Sequence, residues 1–370
     1  MVGFLLILHE LEPKPVIDTL DIKQTQVNHS RLAETDFTNL PFGKYFTDHM
    51  FVADYEDGEW KNFEVLPYGP ILMSPAISAL HYGQAIFEGM KAYRLKDGSI
   101  SVFRAEKNFA RFNRSAERMA MVTVPEDLFM QGIAALVNLD KDWVPSAENY
   151  SLYIRPTLFA TDPLLGVKAS STYKFVVLTT PTGPYFNKPL RVKIETHYTR
   201  GADGGVGAAK TAGNYAMSMM PTAAAQAEGY DQLIWTDAKN HEFVEESGSA
   251  NLMFVIDGKI VTPEIRETIL DGVTRDTILQ LAKSLGYPVE ERRVSITEVL
   301  EGIQNGKLTE AFAVGTAATI TQIAEIGYQG EMYTLTDPTD RPFSTSIAKK
   351  LNDIRYGLVP DEFGWNWIVA

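Results

Sequence analysis

Arg-Gly-Ala-Asp-Gly-Gly-Val-Gly-Ala-Ala-Lys-Thr-Ala-Gly-Asn-Tyr, residues 200–215, sets glycines 201, 204, 205, 207 and 213 around Lys210. Glycine at this density lets the backbone turn sharply and lets other groups come close to it. Tyr215 closes the stretch. Further on, Val-Glu-Glu-Ser-Gly-Ser-Ala-Asn-Leu-Met-Phe, residues 244–254, places Glu245 and Glu246 before a small-residue turn and an apolar run. A lysine, a phenol and a carboxylate are the groups that hold pyridoxal phosphate: an imine partner, a donor to its phenolate oxygen, and an anion for its pyridinium nitrogen. Taken alone, a lysine on a glycine-rich loop is more often merely solvated, so the rest of the chain has to decide.

The 370 residues suffice for two domains, each with a core. An apolar content of 45% with 22% charged residues is that of a folded globular protein. The net charge of -13 and the lack of a basic stripe argue against nucleic-acid binding. There is no cysteine, which removes disulfides, thiol nucleophiles and thiolate metal sites and fits a reducing cytoplasm. The N-terminal Met-Val-Gly-Phe-Leu-Leu-Ile-Leu-His-Glu lacks a positive leading region and is followed by Glu10 and Glu12. Neither a signal peptide nor a membrane span is expected, and the location expected is cytoplasmic. The six histidines are scattered without ligand spacing, so no metal centre is expected.

Along the chain, residues 1 to about 45 lack periodicity and read as an arm or irregular cover. Strands are expected at residues 49–55, 71–73, 91–94 and, after the Asp97-Gly98 turn, 99–104. Residues 105–121 carry Phe109, Phe112, Ala116 and Met119 at helical spacing, with Arg111, Arg114 and Arg118 among them. A second helix covers 126–138, and 151–160 and 174–180 read as buried strands. Residues 181–189, with three prolines and a glycine, are the best linker candidate. Beyond them, helices are expected at 222–228 and 274–285, and strands at 232–235 and 252–256. Ser295-Ile-Thr-Glu has the capping-box pattern, and 311–320 is a strand running into a small-residue turn. Strands and helices mix in both halves, as in two α/β or α+β domains.

A phosphate needs backbone amides, preferably at a helix N-terminus, together with a cation or hydroxyls. Gly272-Val-Thr-Arg and Gly315-Thr-Ala offer such turns, each weak alone. In order, the chain carries His81-Tyr-Gly-Gln-Ala-Ile-Phe-Glu-Gly, Phe103-Arg with Arg111, Tyr153-Ile-Arg-Pro, Lys210 to Tyr215, Glu246-Ser-Gly-Ser-Ala-Asn, Gly272-Val-Thr-Arg and Gly315-Thr-Ala. Together they resemble the branched-chain amino acid aminotransferases, class IV aminotransferases of the D-amino-acid-transaminase fold, over residues 45 to 360.

The resemblance implies a two-domain α/β (α+β) fold with pyridoxal phosphate between the domains: residues 1–182 the smaller, 183–189 the interdomain loop, 190–370 the larger. It implies that Lys210 bonds the cofactor and shuttles the substrate proton, that Glu246 keeps the pyridine nitrogen protonated, and that Tyr215 hydrogen-bonds O3′. Arg111, the amides of Val273 and Thr274, and Thr316 match the phosphate cup. Tyr82, Phe87, Tyr153 and Arg155 resemble the side-chain pocket, with Arg155 hydrogen-bonded near Tyr82. Backbone amides near Ser249 and Ala317 would receive the substrate carboxylate, and Tyr185 matches the closing loop. Glu245 remains the alternative ring partner. Asp271 stands where the family usually has proline, and Ala318 and Thr321 stand where its eukaryotic members carry a redox-sensitive Cys-x-x-Cys.

The function so implied is exchange of an amino group between L-leucine, L-isoleucine or L-valine and 2-oxoglutarate by a homodimeric enzyme. The alternatives are a D-amino acid aminotransferase or an aminodeoxychorismate lyase of the same fold, and, in another class, a non-catalytic protein that kept the fold.

Overall fold

A computed structural model describes residues 19–185, 188–317 and 319–370. Two sheets organise it. The first has nine strands, drawn from Lys23–Gln24 to Tyr173–Thr182, and recruits the C-terminal strand Asn366–Ile368 against Ile100–Phe103. The second has ten strands between Leu190–Ile194 and Glu331–Thr334. In it, the strand Phe243–Ser247 pairs with Gln232–Thr236 on one side and Ala250–Ile256 on the other. That double pairing closes a ring of six strands.

Side-chain alternation explains how the strands share their burial. Ser151–Ala160 alternates buried and half-buried residues along its second half, as a strand does when one face meets the core. Its buried face joins Phe51, Phe112, Phe129 and Phe175 in the core of the first sheet. The helices Ala105–Arg118 and Glu126–Leu139 cover that core, and Phe112 on the first contacts Phe129 on the second at 5.5 Å between ring centroids. The second sheet encloses an apolar core that includes Leu252, Phe254, Val299 and Ile323. The helices Val273–Ser284 and Pro342–Arg355 pack on its outer face around Phe312 and Ile347.

Most expected elements form within a few residues of where the sequence places them. Ser295 caps the helix Ile296–Gln304 by accepting the Glu298 amide at 3.0 Å, while the Glu298 carboxylate turns to Arg292. Two expectations need correction. Residues 71–73 form no strand: they lie between Pro70 and Pro75 with no partner strand, and Leu72 is almost wholly exposed. Pro181 and Thr182 belong to the strand Tyr173–Thr182, paired with Leu152 and Ser151, rather than to a linker.

Of the arm, residues 1–18 lie outside the described residues. The remainder is better anchored than its lack of periodicity suggests. Lys23–Gln24 adds a short parallel strand, and Leu20, Ile22, Leu32 and Phe37 pack against the first core. No helix among the described residues is long and apolar enough to cross a membrane.

Candidate active site

The two sheets meet around a cavity of about 430 Å³ whose walls come from both. The glycine-rich stretch forms one side. Gly201 and Gly207 lie against the backbone of Thr268, so close that a Cβ on Gly207 would stand 2.7 Å from the Thr268 carbonyl oxygen. The segment is then tied to the first sheet. Phe87 donates its amide to the Lys210 carbonyl at 3.0 Å, the Thr211 hydroxyl donates to Ala85 O at 2.8 Å, and Lys210 donates its own amide to Ser115 Oγ at 2.9 Å. A lysine from one half of the chain is thereby held by the other. Its Nζ donates to Tyr215 Oη at 2.8 Å and lies 4.9 Å from the centre of the Phe87 ring.

Successive residues of a strand face opposite ways, and the strand Phe243–Ser247 uses this to separate its two carboxylates. Glu246 lines the cavity, whereas Glu245 faces away and accepts the Thr268 hydroxyl at 2.6 Å. Glu246 is 3% exposed. It pairs with Arg200 Nη2 at 2.5 Å and accepts from Asn251 Nδ2 at 3.0 Å and the Leu270 amide at 3.2 Å. Burial raises its pKa above the ordinary carboxylate range, and Arg200 opposes that rise. Removal from water outweighs the ion pair here, as the desolvation cost of a buried charge allows.

The helix Val273–Ser284 points its N-terminus at the cavity, with Gly272 as the residue before its first turn and Val273 and Thr274 in the wall. A Cβ at Gly272 would collide with Asn251 Oδ1, so glycine is required for the close approach. Arg111 reaches the same end of the cavity. It is not one of three exposed arginines on its helix: it is 4% exposed and holds Glu88 through two bonds, 2.6 and 2.8 Å long, while Nη1 donates to Asp271 O at 2.9 Å. Thr316 and Ala317, in the turn after the strand Leu308–Gly315, complete this end.

Part of the wall is aromatic, formed by Phe87, Tyr153, Tyr185 and Phe42 with Arg155 among them. Phe42 touches Tyr153 and Tyr185 edge-on at 4.8 and 5.1 Å. The Arg155 guanidinium lies 4.7 Å from the Phe87 ring centre and donates through Nη2 to Tyr153 Oη at 3.0 Å, while its buried Nε has no partner.

Of the site residues expected from sequence, Lys210, Arg111, Tyr215, Glu246, Val273, Thr274, Thr316, Phe87, Tyr153, Arg155, Tyr185, Ser249 and Ala317 all line this one cavity. Tyr82 does not. It ends the short helix Ser78–Tyr82, is 41% exposed, and leaves Tyr153 as the phenol that Arg155 contacts. Sequence reasoning missed Phe42, placed in a segment read as mere cover. It also missed Glu88 and Arg200, the charged partners of Arg111 and Glu246. The Phe-Glu-Gly of residues 87–89 was the available signal for Glu88; nothing local marked Arg200.

The family model for Amino-transferase class IV matches residues 85–326. The branched-chain-amino-acid transaminase 1 of Bacillus subtilis (strain 168) is 46% identical over 335 residues, 89% of this chain and 94% of that protein. Among solved structures, the branched-chain aminotransferase of Thermoproteus uzoniensis with norvaline superposes with a TM-score of 0.72 at 27% identity, covering 87% of this chain and all of that one. The T.th. branched-chain amino acid aminotransferase complexed with N-(5'-phosphopyridoxyl)-L-glutamate gives 0.69 at 26% identity, covering 86% and 98%.

Proposed function

This chain belongs to the class IV amino-transferases, and from that premise we propose that it moves the amino group between branched-chain L-amino acids and 2-oxoglutarate on pyridoxal phosphate. The observation that carries the reading is the shared cavity. Lys210, Tyr215 and Glu246 line it together with an aromatic wall that carries the Arg155 guanidinium.

The residues present fit the cofactor by their chemistry. A helix N-terminus with Arg111 beside it suits a phosphate dianion. Glu246, buried and backed by Arg200, suits a protonated ring nitrogen, and Tyr215 suits the ring's phenolate oxygen. When bound, pyridoxal phosphate supplies the electron sink that lets an amino acid lose its Cα proton.

The remaining work falls to the chain. Lys210, held at 2.8 Å from Tyr215, would take the proton from the substrate Cα and deliver it to C4′ of the cofactor. Glu246 keeps the proton on the ring nitrogen. The Glu88–Arg111 pair fixes the guanidinium before the phosphate arrives, so little order is lost on binding. Thr316 joins the phosphate cup, and backbone amides near Ser249 and Ala317 take the substrate carboxylate.

One pocket has to take both an apolar side chain and a γ-carboxylate. Phe87, Tyr153, Tyr185 and Phe42 suit the first. Arg155, stacked on Phe87 with Nε unpartnered, suits the second, because a buried donor lacking an acceptor gains most when one arrives. Tyr185 lies just before residues 186–187, which are outside the described residues, and serves as the closing element of the pocket.

The chain acts as a homodimer in the cytoplasm, its two sheets being the cores of two domains joined through residues 183–189. Leu72, Leu80, Tyr82, Leu165 and Val167 are exposed apolar side chains that a second copy would cover. Assay of L-leucine, L-isoleucine and L-valine against 2-oxoglutarate, with D-leucine beside them, tests the function. Transfer from the three L-amino acids is expected; transfer confined to D-leucine would favour the D-amino acid reading.

A further inference from the structure

A second cavity, of about 520 Å³, opens on the other face of the strand Phe243–Ser247. Its volume falls within the range of small-molecule sites. It shares no lining residue with the catalytic cavity. Glu245 stands in its wall, 6% exposed. Thr268 satisfies Oε1 at 2.6 Å, but the buried Oε2 has no partner. A carboxylate oxygen taken out of water without a donor is costly, and the cost is relieved by a ligand that brings one.

Around Glu245 the wall carries the cations Lys239, Arg266 and Arg293 beside the acids Asp203, Asp237 and Glu242. Arg293 lies over the Phe243 ring at 3.5 Å, with Asp237 3.9 Å away. Arg266 has only long ion pairs, to Glu264 at 3.5 Å and Asp203 at 3.8 Å. Both side chains are more than a third exposed, and their pairs are at the loose edge of hydrogen-bonding distance. Guanidinium donors held this way remain available to a carboxylate. Asp237 is committed elsewhere, accepting the amides of Asn240, Glu242 and Phe243 at 2.7–3.2 Å.

An acceptor inside and donors at the mouth define the ligand. We propose that this cavity binds a small zwitterion, with its ammonium on Glu245 and its carboxylate on Arg266 and Arg293. The site stands apart from the catalytic carboxylate yet close to it. Thr268, which donates its hydroxyl to Glu245, accepts Arg200 Nη2 on its carbonyl at 2.6 Å, and Arg200 holds Glu246.

β-Alanine is the probe, because its amino group is not on the α-carbon and it cannot act as an α-amino acid in the catalytic cavity. Titration of the cofactor-loaded protein, followed by saturation-transfer NMR, is run with and without 4-methylvalerate, which is leucine without its amino group. The binding of 4-methylvalerate, recorded separately, reports on the catalytic cavity alone. β-Alanine is expected to bind equally in both conditions, to bind at least tenfold more weakly to Glu245→Gln, and to bind more weakly to Arg266→Gln, a half-exposed position where folding is not at stake. Propionate, which lacks the ammonium, is expected not to bind. Failure of β-alanine to bind the wild type, its displacement by 4-methylvalerate, or unchanged affinity in both variants would each overturn the assignment.

Discussion

Glu246 and Arg200 form a buried ion pair 2.5 Å long, although they lie far apart in sequence, and Arg200 is held in turn by the carbonyls of Gly207 and Thr268 at 3.1 and 2.6 Å. The glycine-rich stretch that carries Lys210 therefore also supplies the cation that opposes the upward pull of burial on the Glu246 pKa. One segment thus carries the proposed base and holds the proposed ring partner.

Glu246→Gln removes the charge while keeping the shape. Arg200 retains its two carbonyl acceptors, so the fold and cofactor binding are expected to survive. The half-reaction with L-leucine is expected to slow by several orders of magnitude, because an amide does not hold a proton on the ring nitrogen. Single-turnover spectroscopy measures it directly. A near-wild-type rate would remove Glu246 from that role.

Arg155→Met is expected to separate the two substrates proposed to share the pocket. Glutamate loses the partner of its γ-carboxylate, and a desolvated charge without a partner costs about 3–5 kcal/mol. The specificity constant for glutamate is expected to fall by ~100-fold or more, with that for leucine changed by less than about tenfold. The two half-reactions report on one substrate each. Equal losses for both would return Arg155 to bracing Tyr153.

Lys91 is buried, and its Nζ lies 3.4 Å from Ala317 O. Burial, with Arg355 nearby, lowers its pKa to about 7. An unfolded lysine titrates near 10.4, so between these values the unfolded chain binds the extra proton and stability rises with pH. Below about pH 7 the folded protein carries the buried charge in full. Lys91→Met is therefore expected to stabilise the protein most at pH 6 and progressively less toward pH 9. Urea unfolding at the two pH values checks this; a gain that does not shrink would show that the lysine stays charged throughout.

Much of the site was legible because its chemistry is local in sequence. Lys210 and Tyr215 share one helix-entry segment, Glu246 and Ser249 flank one turn, and Val273 and Thr274 open one helix. The choice between Glu245 and Glu246 follows from strand alternation once the strand is known. What escaped was long-range. Arg200 and Glu88 take their meaning from partners on other elements. Phe42 has no periodic neighbours to mark it, and residues 71–73 have strand-like composition but no partner strand. Tyr82 matched by spacing, yet its helix turns the ring to the surface.

Lys210 is the residue proposed to bond the cofactor. Borohydride reduction of the cofactor-loaded enzyme, followed by peptide mapping, tests it most directly. A single stable adduct is expected on the peptide containing Lys210, and none in Lys210→Ala, which is expected to keep its fold but lose the visible absorption band and transamination. An adduct on any other lysine, or the same adduct yield in Lys210→Ala, would contradict it.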